Sequence, residues 1–319
     1  MQKNILITGA AGFIGFHTAL TLAKDSNNSV IGYDNFNDYY SIQLKRDRAQ
    51  ILLNANMQVV EGDICDALKL NHLIKSQHIT HIVHLAAQAG VRYSLTHPQS
   101  YVKANLEGFI TLLELCRETP SIQLVYASSS SVYGLNSKIP FSIEDRTDHQ
   151  ASLYGATKKA NELFASTYHH LFGIPVTGLR FFTVYGPWGR PDMAYSVFTE
   201  AILTNKPIEV YNFGKMKRDF TYIDDIVEGI IAAVNRKGAG EVFNLGHHEP
   251  VELLDFIETL EEFLGKKATK VLKEMQPGDV VETFADIRES TRCLNFIPKV
   301  NMRDGLAKFV AWYRNYYNK

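Results

Sequence analysis

The stretch Thr8-Gly9-Ala10-Ala11-Gly12-Phe13-Ile14-Gly15 constrains this chain more than any other. It follows directly on the apolar run Asn4–Thr8 and opens a helical pattern over Phe13–Lys24. A strand, a glycine turn and a helix in that order let the backbone bend tightly, approach a pyrophosphate and pack helix on strand, while the helix N-terminus offers amide donors and a positive dipole end. The spacing is GxxGxxG rather than GxGxxG. A dinucleotide site also wants an acid about 20 residues further on, to accept from a ribose hydroxyl. Asp34 ends the next β-rich run, Ser29–Asp34, nineteen residues past Gly15. A carboxylate there repels a 2′-phosphate, so the expected cofactor is NAD rather than NADP. Arg46 and Arg48, on the pattern that follows, weaken that preference a little if they reach the cofactor, but read more readily as solvated helix charges. Asp63, just past the run Met57–Glu61, reads as an adenine contact or a loop cap.

The alternation continues with runs at His81–Leu85, Gln123–Ala127 and Pro175–Phe181, separated by helical patterns that include Tyr101–Glu118 and Tyr154–Phe172. Short β-rich runs between longer helical ones predict an α/β fold, a Rossmann-type doubly wound parallel sheet covered on both faces. Past Arg180 the rhythm turns irregular, with Gly186, Pro187, Gly189, Pro191, Pro207, Gly214, Pro277 and Gly278. The expected division is a dinucleotide-binding domain over 1–180, to which later segments can return, and a smaller substrate-binding α/β domain over 181–319.

Bulk properties narrow the partners. Lys+Arg at 33 against Asp+Glu at 34 leaves a net charge of −1, so no broad footprint for nucleic acid or an anionic membrane is expected. Cys65, Cys116 and Cys293 lie far apart with no metal-ligand spacing. They read as reduced packing residues of a cytoplasmic protein, with neither disulfide nor bound metal. No apolar run reaches membrane-span length, and the N-terminal run is broken by glycines instead of leading to a cleavage site.

Tyr154-Gly155-Ala156-Thr157-Lys158 opens a helical pattern, which stacks Tyr154 and Lys158 on one face. A phenol of ordinary pKa about 10 that works near pH 7 needs about 4 kcal/mol of preferential phenolate stabilisation. A lysine ammonium and a positive nicotinamide ring both act in that direction. Such a pair is common on surfaces. Its weight comes from Ser128-Ser129-Ser130-Ser131-Val132-Tyr133-Gly134, which follows a strand and so sits at a carboxyl strand end, where open α/β sheets bind ligands. A serine there can hold the hydroxyl that Tyr154 deprotonates, while others satisfy the turn's own backbone.

These residues, with His84-Leu85-Ala86-Ala87, Asn105, Arg180-Phe181-Phe182, Arg218-Asp219-Phe220 and Pro277-Gly278-Asp279, resemble the extended short-chain dehydrogenase/reductase family along essentially the whole chain, and within it the nucleotide-sugar epimerases and dehydratases. The resemblance implies Ser129 as the third catalytic residue. It implies a tightly held NAD and a homodimer built on the helices at Tyr101–Glu118 and Tyr154–Phe172. The implied cofactor contacts are Gly9, Gly12, Phe13, Ile14, Gly15, Asp34, Asn35, Asn37, Asp63, Ile64, Leu85, Ala86 and Ala87, with Tyr154 and Lys158.

Dehydratases and decarboxylating relatives carry a carboxylate just after the catalytic hydroxyl residue, where this chain has Ser130 and Ser131. The expected reaction is therefore inversion at C4 of a UDP-sugar through a 4-keto intermediate. Asp34-Asn35-Phe36-Asn37-Asp38-Tyr39-Tyr40, Gln88-Ala89-Gly90-Val91-Arg92-Tyr93-Ser94 and the segment Thr183–Ala194 are similar to UDP-glucuronate 4-epimerases. Hexose epimerases usually place asparagine at Thr183 and arginine near Gln276, and a UDP-glucose/UDP-galactose epimerase is the alternative reading. A dehydratase or decarboxylase is a more distant one. Thr183, Ser130 and Ser131 are positioned in sequence to hold a sugar carboxylate, with Arg190 either assisting by charge or contacting the diphosphate. Arg218 resembles the family's diphosphate clamp, Asp279 faces the uridine ribose in that reading, and Arg92 joins the substrate contacts. Lys215 and Lys217 read as solvated, Asp224 as the cap of the next helix, and His84 as a packed strand-end residue.

Overall fold

The structure is a computed structural model and is described here for residues 2–275 and 281–319. Gln276, Pro277, Gly278 and Asp279 lie outside the described residues, so the expected ribose contact of Asp279 does too.

The first half alternates as expected: β1 (Lys3–Thr8), α1 (Phe13–Leu22), β2 (Asn28–Asp34), α2 (Ile42–Asn54), β3 (Val59–Glu61), α3 (Ala67–Ser76) and β4 (His81–His84). Two short helices, α4 (Tyr93–Thr96) and α5 (Pro98–Tyr101), run through a π-helical segment, Val102–Glu107, into α6 (Gly108–Glu118). Next come β5 (Gln123–Ser129), α7 (Leu153–Phe172) and β6 (Val176–Phe181). Ser152 caps α7 by accepting from Gly155 N at 3.0 Å, and Gly173 ends it in the left-handed conformation at φ +68. The second half holds β7 (Thr183–Tyr185), α8 (Ala194–Leu203), β8 (Ile208–Val210), β9 (Lys217–Tyr222), α9 (Ile223–Asn235) and β10 (Glu241–Leu245). It closes with β11 (Pro250–Glu252), α10 (Leu253–Leu264), β12 (Lys270–Leu272), β13 (Glu282–Thr283), α11 (Arg288–Leu294) and α12 (Met302–Tyr317).

Seven strands form one sheet in the order β10-β6-β5-β4-β1-β2-β3, every neighbouring pair parallel. Alternation along the strands feeds two cores. Ile5, Ile7, Val83 and Val125 face the side holding Phe16, Ile226 and Ile230. Leu6, Ile82, Leu124 and Val176 face Ile74, Leu112 and Ala165. The seventh strand, β10, arrives from beyond residue 240 and pairs with β6 through Glu241↔Thr177 to Leu245↔Phe181. The remaining strands make two small sheets, one around β9 with β7, β11 and β13, and one pairing β8 with β12.

Two expectations shift. Strand β5 runs on to Ser129, two residues past the predicted end, because its register with β6 continues through Ser128↔Arg180 and Ser129↔Phe181. Asp224 does not cap α9. Tyr222 occupies that position, and Asp224 sits in the first turn, where a carboxylate still favours the helix dipole. No helix among the described residues is long and apolar enough to cross a membrane.

Candidate active site

The carboxyl ends of β1, β2, β4 and β5 open into a cleft of about 1360 Å³, open solvent at its mouth included. It is placed beside β1 and β4, where the strand order reverses. Gly9, Gly12, Phe13, Ile14 and Gly15 line it, with Asp34, Asn35, Asn37, Ile64, Leu85, Ala86 and Ala87. The turn is too tight for side chains. Gly9 holds φ +74 and a Cβ there would meet Ala86 N at 2.6 Å, while a Cβ on Gly15 would meet Gly9 O at 2.1 Å. Asp34 braces this turn from below, Oδ2 accepting from Ala11 N at 3.0 Å and Oδ1 from Phe36 N at 2.9 Å. Burial raises the Asp34 carboxyl, against those amides and the nearby Lys45. Lys45 Nζ in turn fixes Asn37, donating to its main-chain O at 2.5 Å and its Oδ1 at 2.7 Å. The cradle fits a dinucleotide. Asp63 stands outside it as a loop cap, accepting from Cys65 N at 2.9 Å and pairing with Lys103 at 3.5 Å.

Ser129, Tyr154 and Lys158 meet at the other end of the same cleft. Ser129 is the last residue of β5, and its Oγ accepts from Ser131 N at 3.1 Å. The hydroxyl proton is thus left to donate toward Tyr154, whose phenol it stabilises in the ionised form. Burial is the largest influence on that phenol and raises it; Ser129 and the positive charge of Arg190 pull the other way. Lys158 does not pair with Tyr154. Its Nζ donates to Ala127 O at 2.8 Å, and burial brings its ammonium down to about 8.

The expected substrate residues divide. Arg190 lines the cleft. Its guanidinium is bound by Asp192, Nε to Oδ1 at 3.0 Å and Nη2 to Oδ2 at 2.5 Å, and lies 5.7 Å from the Tyr39 ring. Burial works against its charge, but Asp192 holds it firmly protonated. Thr183, Ser130 and Ser131 are not among the residues lining the cleft, although Phe182 and Val184 on either side of Thr183 are. Arg218, also outside the lining, donates to Lys217 O and Val281 O. Arg92 lies 5.3 Å from the Tyr211 ring. Among the described residues no group of three or more His, Cys, Asp or Glu side chains is arranged to hold a metal ion.

Residues 5–246 match the NAD dependent epimerase/dehydratase family. The chain belongs to that family. UDP-glucuronate 4-epimerase 3 of Arabidopsis thaliana is 50% identical over 333 residues, covering 99% of this chain and 77% of the relative. The crystal structure of UDP-glucuronic acid 4-epimerase from Bacillus cereus, in complex with UDP-glucuronic acid and NAD, superposes with a TM-score of 0.92 at 39% identity, covering 98% of this chain and 100% of that one. UDP-glucose 4-epimerase from Thermotoga maritima, solved with UDP-glucose, reaches 0.90 at 29% identity, covering 98% and 99%. The backbone of this epimerase/dehydratase family therefore barely distinguishes one sugar from another, and the side chains must.

Three structural features of this family member escaped the sequence reading. Arg48 is no solvated helix charge. It is 0% exposed, Nη1 donating to Ala11 O at 2.9 Å and Tyr40 OH at 2.8 Å, and Nη2 to Trp188 O at 2.5 Å. Arg46 keeps the expected exposed position and pairs with Glu61 at 2.9 Å. Glu162, two turns beyond Tyr154 on the same face of α7, accepts from Ser128 Oγ at 2.7 Å and from Arg180 Nε and Nη2 at 2.8 and 2.9 Å. That buried ion pair anchors the strand end that carries Ser129; the four-residue spacing of Tyr154, Lys158 and Glu162 was its only sequence trace. Asn105, on the π-helical segment, bonds Gln88 N and O at 2.8 and 3.0 Å and Thr157 Oγ1 at 3.0 Å, joining the cofactor side of the cleft to α7. His84 is the packed strand-end residue expected, its Nδ1 2.8 Å from Thr8 Oγ1.

Proposed function

We propose that this chain interconverts UDP-glucuronate and UDP-galacturonate, inverting C4 through a 4-keto sugar. One observation carries the reading: among the described residues lining the cleft, Asp34 is the only carboxylate, and backbone amides occupy its oxygens. A keto sugar held there meets hydroxyls and no acid that would assist loss of water, so it stays intact to be reduced on the opposite face. The Arabidopsis and Bacillus relatives named above are both UDP-glucuronate 4-epimerases, which supports the uronate reading.

The cradle from Gly9 to Gly15, with Asp34, Asn35, Asn37, Ile64 and Leu85 to Ala87, would hold NAD. Bound NAD would supply reversible acceptance of a hydride from C4 and a positive charge that favours the phenolate. Tyr154 takes the proton of the 4-hydroxyl and later returns it. Ser129 orients that hydroxyl through its own O–H. Lys158 keeps a buried positive charge one helical turn from Tyr154 and ties α7 to β5. Arg190 is the charged group lining the cleft that suits a uronate carboxylate, and Thr183, Ser130 and Ser131, which stand outside the lining, would add hydroxyls to it. Arg92, Arg218 and Asp279 serve the nucleotide-sugar part.

In this reading residues 1–180, joined by β10, hold NAD, and the rest of 181–319 holds the nucleotide sugar. The protein works as a cytoplasmic homodimer. Its cysteines are free, and Val102, Leu163, Leu171 and Phe172 leave apolar surface exposed along the two long helical stretches.

The test incubates purified protein with UDP-glucuronate and UDP-glucose separately, without added NAD, and follows products by NMR. UDP-galacturonate from the first alone is expected. Formation of UDP-galactose or UDP-xylose, or no product at all, overturns the proposal.

A further inference from the structure

We propose that Arg48 is a positioning residue, which holds the turn Pro187-Trp188-Gly189 against the dinucleotide turn and thereby aims Arg190 into the cleft. This goes beyond the substrate reading above but rests on it for the identity of the sugar acid. Three observations carry it.

Trp188 holds φ +61, a left-handed backbone that a bulky side chain rarely adopts. Such a conformation persists only where its surroundings over-determine it, and clusters at functional sites. Here Arg48 Nη2 donates to Trp188 O and, at 3.4 Å, to Gly189 O, while His17 Nε2 lies 2.9 Å from Pro187 O. The Trp188 ring packs 5.6 Å from Phe16 and 5.3 Å from Trp312. Helix α1, helix α2 and the C-terminal helix all converge on one strained turn.

Arg48 has an expensive way of doing this. A fully buried guanidinium donates here to backbone carbonyls and to the Tyr40 phenol oxygen, and its Nε has no partner. A well-packed apolar side chain would stabilise the same spot at lower cost, since burying a charge without an ion pair is unfavourable. What an apolar side chain lacks is the two-armed reach. One arm takes Ala11 O in the middle of the glycine turn, and the other takes the carbonyls that immediately precede Arg190. The planar fork spans both, which a lysine cannot do.

The turn ends on the group that matters. Arg190 N donates to Tyr195 OH at 3.0 Å, and its side chain enters the cleft with Asp192, Tyr39 and Tyr40 around it. Tyr154 lines the same cleft, where the charge of Arg190 favours its ionised phenol, and its ring meets that of Tyr101 edge-on with centroids 6.1 Å apart. Loosening the turn lets Arg190, with the Asp192 it is paired to, move away from the phenol.

The experiment compares wild type, Arg48→Lys, Arg190→Gln and the double variant, each full length and checked for a cooperative melt and for NAD retained on purification. Arg48→Lys is expected to lose about 10- to 100-fold in kcat on UDP-glucuronate, with the acid limb of its kcat profile moved to higher pH. The double variant is expected to be no worse than Arg190→Gln, because both changes break one chain of contacts. A wild-type kcat and pH profile for Arg48→Lys overturns the inference, and so do losses that multiply in the double variant. Should Arg48→Lys not fold, Trp188→Gly tests the same link, since glycine is free to leave φ +61 and should show the same alkaline shift; an unchanged profile overturns the inference. Inactive wild type on UDP-glucuronate instead overturns the substrate reading, and UDP-glucose then serves as the substrate in the same four-way comparison.

Discussion

Lys158 Nζ donates to the main-chain carbonyl of Ala127 at 2.8 Å, two residues before Ser129 on the same strand. The lysine is committed to the sheet as much as to the tyrosine. Burial brings its ammonium down to about 8, so its charge is present below that pH and is lost as pH rises through it. Epimerase activity should therefore decline above pH 8 in a pH profile of kcat. Lys158→Arg, charged throughout, should keep a lower but flat alkaline limb, and Lys158→Met should lose about 10²- to 10⁴-fold in kcat. An alkaline limb unchanged in Lys158→Arg would assign the decline to another group.

Glu162 and Arg180 are both almost fully buried, and Glu162 also receives the Ser128 hydroxyl. Burial pushes the Glu162 carboxyl up, and Arg180, Ser128 and Lys159 together more than offset it. Removing one partner leaves an uncompensated buried charge. Glu162→Ala should cost about 3–5 kcal/mol in urea unfolding, and Glu162→Met with Arg180→Met should recover most of it. Equal destabilisation of the single and double variants would mean that lost packing, not the stranded charge, sets the cost.

His84 is buried against Phe109, and burial, helped by the charge of Lys158, lowers its ring to about 3. A folded pKa below the unfolded 6.5 means the contribution to stability is full above about pH 6.5 and is lost as pH falls toward 3. By pH 4.5 the loss from this residue is about 3 kcal/mol. Chemical unfolding of His84→Gln at pH 7.5 and 4.5 should show a smaller drop than wild type. Equal drops would place the acid sensitivity elsewhere.

A 4-keto uronate is a β-keto acid and loses CO₂ when its carboxylate turns out of the ring plane. If Thr183 and Ser131 hold that carboxylate, Thr183→Ala with Ser131→Ala should raise the share of decarboxylated pentose product seen by NMR. No rise would leave Arg190 as the sole restraint.

The glycine turn, Asp34, the strand-helix alternation and the Tyr154–Lys158 pair were legible in the chain itself. Each depends on local backbone rules: where φ must be positive, which residues recur at two or at 3.6, and which groups stack four apart. Those rules also carried the reading to a parallel sheet with its site at the strand ends. Long-range contact decided the rest. Arg48 reads as an ordinary helix charge until Trp188, 140 residues away in sequence, is folded onto it. Nothing near Lys158 announces that its ammonium turns to Ala127, and the four-residue spacing that puts Glu162 on the same face does not say that it meets Arg180 and Ser128. Strand β10 and its pairing with β6 likewise come from the far half of the chain. A hydrogen bond between distant residues leaves no periodicity in either neighbourhood, so the turn that aims Arg190 and the pair that anchors Ser129 exist only in the folded protein.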